Sequence, residues 1–336
     1  MALPRILLVG TGGTITMTPG GSGIVPTLSA EDLVRAVPEL ARHAQLEVVS
    51  YSAKPGASLT LDDLVQIAGL VEHRLAEGCA GAVVVQGTDT IEETAFVLDL
   101  LVASERPIVV TGAMRGPAMP GADGPANLLA AVIVAATAAA TGLGTLVVLN
   151  DEVHAARFVR KLHTALPSAF ASPGAGAVGT VIEGSLVVHS RMARRPALPR
   201  PADVTDCAVA LVAIALGDDG RLLNVLPSLG YRGVVLEALG AGHVPADLVP
   251  PIEALVRTVP VVLATRVPAG PVFTRTYAFP GSETDLRARG VVGAGYLAPG
   301  KAVQLLRLLL AQAPGSASVA TQRVADHFAR YAEVHA

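Results

Sequence analysis

Short runs of apolar, often β-branched residues alternate along the first half of the chain with stretches whose apolar positions recur at helical spacing. The runs cover residues 6–9, 46–51, 82–85, 107–110 and 145–149. Between them lie helix starts with a recognisable chemistry. Ser29 precedes Glu31 and Asp32, an N-cap followed by acidic first-turn residues. Thr60 with Asp63 repeats the arrangement, residues 91–103 form a third helix, and Gly124-Pro125 opens a fourth, with proline suited to the first turn. Strands alternating with helices predict βαβ units and a parallel sheet.

The rhythm breaks at RMARRPALPRPADVTD, starting at Arg191, an Arg- and Pro-rich stretch that reads as an exposed linker. It then resumes with strands over 208–214, 233–236 and 260–265 and helices over 245–256, 299–312 and 319–331. The expected organisation is a larger N-terminal α/β domain (1–190) on a mostly parallel sheet, a linker (191–207) and a smaller C-terminal α/β domain (208–336).

Composition narrows the function. Apolar residues make up 51% of the 336 and charged ones 16%, ample for sizeable cores. A net charge of -3 with no basic stripe argues against a nucleic-acid partner, and 3% aromatics with no Trp leave no base-stacking platform. Cys79 and Cys207 have neither disulfide-framework nor zinc spacing and read as buried, reduced thiols. His154 and His163 flank Lys161 at a spacing no standard metal motif uses. The N-terminal apolar run ends at Gly10 without a cleavage pattern, so it reads as a strand. The Ala-rich stretch 128–140 is too short for a membrane span. These features describe a soluble, cytoplasmic protein without membrane partners.

Two glycine-rich turns carry threonines straight after buried-strand patterns. The first is Gly10-Thr11-Gly12-Gly13-Thr14-Ile15. A dinucleotide fingerprint needs glycine where Ile15 stands, and no Gly-Lys-Ser/Thr follows for a phosphate loop. The next residues, 16–23, read as a mobile loop. A tight turn with an incidental threonine remains open for this segment. The second turn runs from Gln86 through Thr88-Asp89-Thr90 to Glu93. Thr90 and Glu93 fit a capping box, which leaves Thr88-Asp89 unexplained. A threonine hydroxyl is a poor nucleophile until a base takes its proton. Only three of the 25 Lys and Arg are lysine: Lys54, Lys161 and Lys301. Arginine cannot release a proton at working pH whereas a buried lysine can, so Lys161, beyond a strand end, is a candidate for proton transfer. A surface lysine is the alternative. A further loop, Thr111-Gly112-Ala113-Met114-Arg115-Gly116, could present backbone N–H groups as an oxyanion hole requires.

These segments resemble the bacterial type I/II L-asparaginase and glutaminase-asparaginase family. Thr11-Gly12-Gly13-Thr14-Ile15 is similar to its first signature and Gln86 through Ala95 to its second. Gly112–Arg115, Ala122–Leu128, Leu149-Asn150-Asp151, Arg266–Gly270 and Leu297–Ala302 extend the likeness over nearly the whole chain. The resemblance implies a two-domain asparaginase-like fold. It implies Thr14 as acylated nucleophile on a closing loop, and Thr88, Asp89 and Lys161 as a proton-transfer triad. It implies the backbone at Thr88 and Ala113 as oxyanion hole, and Glu283 as an acid reaching the substrate from a neighbouring subunit. It further implies a homotetramer built from dimers with shared sites, and neither metal nor organic cofactor.

The chain departs from the family pattern. No Tyr occurs before Tyr51, and the shortened loop offers only Ser22 as a hydroxyl. Gly56-Ala57-Ser58 stands where the family binds the substrate's α-groups, and Ala241 stands in place of an Asn. A site without designed hydrogen-bond partners discriminates more weakly. The expected activity is hydrolysis of a side-chain amide, most simply asparagine to aspartate and ammonia. A related hydrolase for a different amide or ester and a non-catalytic sensor of small amides are the alternatives.

Overall fold

Gly81–Val85 is buried at every position, so helices must cover both faces of the sheet that holds it. The structure, a computed structural model, describes residues 2–13, 15, 17–20, 23–26, 29–312 and 317–332, with backbone alone for 17–20, 23–26 and 317–320. It divides into two units, Met1–Leu198 and Pro199–Ala336.

The first unit contains, in order, β1 (Arg5–Gly10), β2 (Met17–Gly20), β3 (Gly23–Pro26), α1 (Ala30–Arg35), β4 (Gln45–Ser50), α2 (Leu61–Ala76), β5 (Gly81–Val85), α3 (Ile91–Leu101), β6 (Ile108–Thr111), α4 (Gly124–Ala136), β7 (Thr145–Leu149), β8 (Glu152–Ala155), β9 (Arg160–Lys161), β10 (Phe170–Ala171), β11 (Gly179–Ile182) and β12 (Ser185–Val188). Among the described residues its main sheet has eight strands in the order β12-β11-β8-β7-β6-β5-β1-β4. The run β4-β1-β5-β6-β7 is parallel throughout. β8, β11 and β12 extend it in antiparallel fashion. Strand order reverses between β1 and β5, which makes the carboxyl ends of these two strands the topological switch point where open α/β sheets bind ligands.

Ile6, Leu8, Val83, Val85, Val109, Leu146 and Val148 share one core cluster with Leu128, Ala131, Val132 and Ala135 of α4. Leu7, Val9, Ala82, Val84 and Val110 alternate onto the other face and are equally buried. α2 and α3, which contact β5, β6 and β7, cover that face. The expected caps are present on α1 and α2: Ser29 with Asp32, and Thr60 with Asp63, form capping boxes.

Three local expectations change. Residues 17–20 pair with 23–26 as an antiparallel hairpin where a loop was expected; Ile24 and Val25 supply the β-branched residues such pairing favours. Thr90 does not cap α3 with its side chain; its hydroxyl donates to the Gly56 carbonyl at 2.8 Å. The Arg-rich stretch from Arg191 is tied to the first unit. Arg191 donates to the Ala139 and Thr141 carbonyls, and Arg194 to those of Val102 and Ser104.

The second unit holds β13 (Val209–Ala213), β14 (Gly233–Ala238), α5 (Val249–Val256), β15 (Val261–Thr265), α6 (Glu283–Ala288), β16 (Val292–Gly293), α7 (Pro299–Ala311) and α8 (Ala317–Ala332). Its strands form a parallel sheet, β13-β14-β15-β16. Val234, Leu236, Val261 and Leu263 pack with Leu248, Ile252 and Leu255 in its core. Among the described residues no helix is long and apolar enough to cross a membrane. Cys79 and Cys207 are buried free thiols.

Candidate active site

The turns after β1 and β5 leave the sheet side by side. Thr11 N–H donates to the Val85 carbonyl at 2.9 Å and Lys54 N–H to the Thr11 carbonyl at 2.9 Å, which fastens both turns and the 52–58 loop together. The contact is possible only without side chains. Gly13 has φ +94°, and a Cβ there would lie 2.0 Å from the Gly87 nitrogen; a Cβ on Gly56 would lie 2.6 Å from the Gly87 carbonyl oxygen. The residues on either side of Thr14 are thus held, since buried Ile15 packs where a Cβ on Gly124 would come within 2.9 Å of its Cγ1. Thr14 itself and Ser22 lie outside the described residues.

One residue past Gly87, the polar cluster expected from the sequence is assembled. Lys161 Nζ donates to Thr88 Oγ1 at 2.8 Å and to Asp89 Oδ1 at 3.0 Å. Exposure grades across it: Thr88 is 6% exposed, the Lys161 side chain 18% and the Asp89 side chain 62%. The amine therefore links a buried hydroxyl to a carboxylate that faces solvent. Gln86, fully buried, donates through Nε2 to the Gly87 carbonyl at 3.2 Å and to Thr90 Oγ1 at 3.3 Å, bracing the turn from beneath. A hydroxyl held by an amine, and the amine by a carboxylate, is an arrangement that can pass a proton.

The loop after β6 is held by a second network. Asp123 accepts from the backbone N–H of Met114 (3.0 Å) and Arg115 (2.8 Å) and from Asn127 Nδ2 (3.1 Å). Asn127 Nδ2 also donates to the Gly112 carbonyl at 3.0 Å, and Asn127 Oδ1 accepts from Asn150 N–H at 2.9 Å. Ala113, buried, sits inside this frame. The roles of Asp123 and Asn127 are the ones sequence reasoning missed. The signal was present: Asn127 is a buried polar residue in an otherwise apolar α4, four positions after Asp123.

The remaining expected site residues fall in two places. Gly56 is buried against Gly87, while Ala57 and Ser58 are exposed in the same short turn. Lys54 pairs with Asp63 at 2.8 Å beside it. Burial would push the Asp63 carboxyl up, but hydrogen bonds from Lys54 and Thr60 hold it below the usual range. Ala241 and Glu283 belong to the second unit. Glu283 is wholly buried; Oε1 accepts from the N–H of Thr276 (2.9 Å) and Tyr277 (2.8 Å), and Oε2 lies 3.2 Å from His243 Nε2. Contact between Glu283 and a substrate amino group therefore requires the carboxylate to exchange one of these partners. His163 caps a turn, accepting from Ala165 and Leu166 N–H at its Nδ1. Among the described residues no group of three His, Cys, Asp or Glu could hold a metal ion.

Comparison with known proteins converges on one family. Its N-terminal model, Asparaginase, N-terminal, matches residues 5–194, and the Glutaminase/Asparaginase C-terminal domain model matches residues 208–322. The chain is 34% identical over 313 residues to an L-asparaginase of Bacillus licheniformis, covering 91% of this chain and 95% of the relative. It is 33% identical over 320 residues to a probable periplasmic L-asparaginase of Haemophilus influenzae, covering 92% and 89%. Among solved structures, that of a probable cytoplasmic L-asparaginase from Campylobacter jejuni superposes with a TM-score of 0.85 at 29% identity, covering 98% of this chain and 100% of the other.

Proposed function

This chain belongs to the asparaginase family, and from that membership we propose that it hydrolyses the side-chain amide of L-asparagine to aspartate and ammonia through a Thr14 acyl-enzyme. The observation that carries the residue assignment is the Lys161–Thr88–Asp89 cluster, one residue from the glycine that Gly13 touches. Thr14 is covalently tied to Gly13 and Ile15, both held against the turns that flank the switch point.

In this reading the Thr14 hydroxyl attacks the amide carbon, and its proton passes to the leaving nitrogen. Backbone N–H groups at Thr88 and Ala113 hold the oxyanion, a contribution that exceeds any single side chain's in acyl transfer. The C–N bond breaks and ammonia departs. A water then attacks the acyl-enzyme, giving up its proton to the Thr88–Lys161 pair, and Thr14 leaves as a hydroxyl. Asp89 orients Lys161 and offers its exposed oxygen to the substrate ammonium. Gly56, Ala57 and Ser58 line the substrate's α-group side. No metal or cofactor takes part in these steps.

Ammonia release from L-asparagine, L-glutamine and D-asparagine by the wild type and Thr14→Ala tests the assignment. Wild-type turnover in the variant removes Thr14 as nucleophile. A second reading, an N-substituted amide or ester as substrate, is favoured by the exposed methyl group of Ala57 where a polar clamp was expected. A substrate panel with saturation kinetics separates the two.

The functional assembly in this reading is a homotetramer built from dimers that share sites. Supporting it, Phe273, Tyr277 and Phe279 are exposed together on the second unit, with Phe273 and Tyr277 stacked at 6.4 Å. A cytoplasmic location fits the two free thiols and the likeness to the Campylobacter jejuni protein.

A further inference from the structure

Lys161 stands on an unusually slight support. Its strand, β9, is two residues long and pairs only with the two residues of β10: Phe170 opposite Lys161, Ala171 opposite Arg160. One more backbone bond, Leu162 N–H to the Ala169 carbonyl at 2.7 Å, closes the ribbon. An isolated two-stranded ribbon is marginal in water at any length, and one this short needs an outside anchor.

The anchor lies directly after Ala171. Ser172 Oγ is 3.1 Å from His154 Nδ1, and His154 sits on β8 of the main sheet, in register with Val147 of β7. Both side chains are shut from solvent, His154 at 2% and Ser172 at 5% exposure. His154 Nε2 lies 3.4 Å from Glu152 Oε2, which fixes the ring's orientation from its other side. The Ser172 carbonyl accepts from the N–H of Ala175 (3.1 Å) and Gly176 (2.8 Å), so the residue also forms the corner at which the ribbon turns back. With both partners buried, the pair is a fastening and not a nucleophile. Burial pushes the His154 imidazole below its ordinary value, partly offset by Glu152, in keeping with a neutral ring that hydrogen-bonds a hydroxyl.

We propose that His154 and Ser172 are positioning residues for the hydrolytic reaction: their hydrogen bond clamps β10 to the main sheet and thereby holds Lys161 on Thr88 and Asp89. The inference rests on the reading of Lys161 as the proton-transfer amine. The bond spans the one place where the ribbon joins the rigid sheet by side chains. Losing it frees β10 to slide or twist, and β9 with it. A displacement of ~1 Å at a reacting group can cost about 10²-fold in rate.

The experiment is a double-mutant cycle on the full-length protein, read by ammonia release from L-asparagine. Ser172→Ala is expected to lower kcat at least ~10-fold, with KM changed far less. Ser172→Thr, which keeps the hydroxyl, and His154→Asn, which keeps a polar atom near Nδ1, are expected to recover most of the loss. In a Lys161→Ala background, Ser172→Ala should lower kcat no further. A second readout needs no activity. The chain holds only three lysines, so trace acetylation followed by peptide mass spectrometry can compare Lys161 with Lys54, and the Lys161 to Lys54 ratio should rise in Ser172→Ala and not in Ser172→Thr. An unchanged kcat and labelling ratio in a folded Ser172→Ala protein, or the same drop with and without Lys161, overturns the proposal. If Lys161→Ala alone keeps wild-type kcat, the catalytic reading of Lys161 falls, and the labelling ratio still decides whether the clamp holds that side chain.

Discussion

Gly13 and Gly87 meet backbone to backbone: a Cβ on Gly13 would stand 2.0 Å from the Gly87 nitrogen, and Gly13 already has φ +94°. The two turns at the switch point can therefore share a site only because neither residue has a side chain. Gly13→Ala must both clash and strain, whereas Gly174→Ala, at φ +78° with nothing near its Cβ, must only strain. A left-handed residue other than glycine costs about 1–3 kcal/mol. Gly13→Ala is expected to lower kcat/KM at least ~10²-fold, while Gly174→Ala lowers the melting temperature with activity retained. Parallel thermal melts and kinetics check the pair. Equal activity in both variants would show that close approach of the turns is not needed.

Lys161 is expected to be irreplaceable by arginine. Lys161→Met removes the amine that joins Thr88 to Asp89. Lys161→Arg keeps a charge but cannot pass a proton. Both should lose about 10²- to 10⁴-fold in kcat, the range typical of a lost proton-transfer group. Thr88→Val should resemble them, and Thr88→Val with Lys161→Met should be little worse than either alone, since groups that act as one unit are not additive. Steady-state kinetics of the four variants decide it; an active Lys161→Arg enzyme would refute proton transfer through this residue.

How much of this was legible beforehand depended on where the burial signal was symmetric. Strands such as Gly81–Val85 are apolar at every position because helices cover both faces, so they stood out. The antiparallel extension did not, because β8, β11 and β12 are four residues each with mixed exposure. Its cue was the Asn150-Asp151 pair, whose φ angles of 53° and 59° build a two-residue hairpin turn between β7 and β8. Lys161 was legible through the scarcity of lysine. Thr90 was misread as a cap because capping rules see only the local helix, while the Gly56 carbonyl that claims its hydroxyl lies 34 residues away in sequence. The burial of Glu283 was likewise invisible, since its partners His243, Thr276 and Tyr277 are gathered by folding.

Asn127 joins three loops. Asn127→Leu keeps the volume and leaves the Gly112 carbonyl, the Asn150 N–H and one Asp123 contact without their partner. Each buried group so stranded costs about 1–3 kcal/mol. The variant should unfold at markedly lower urea with the same m-value, and surviving folded enzyme should show reduced kcat because the loop around Ala113 loses its frame. Unchanged stability would mean that water replaces the lost contacts.

Acid sensitivity of the second unit should trace to Glu283. Burial alone would raise its carboxyl, but backbone N–H groups of Tyr277 and Thr276, with His243, hold it below the ordinary 4.5. A carboxylate whose folded value is depressed contributes stability that is present in full above the unfolded value. That stability drains as pH falls below about 4.5 through the folded value, where the native state must take up the proton. Glu283→Gln cannot ionise, so its melting temperature should lie below wild type at pH 7 and the gap should shrink as pH falls below about 4.5. The variant also lacks the charge that fixes the turn carrying exposed Tyr277, so association through that face should weaken at neutral pH. Melting curves between pH 3 and pH 7, set beside sedimentation at pH 7, measure both effects. A gap that stays constant across the acid range would show that Glu283 is held by packing and not by its charge.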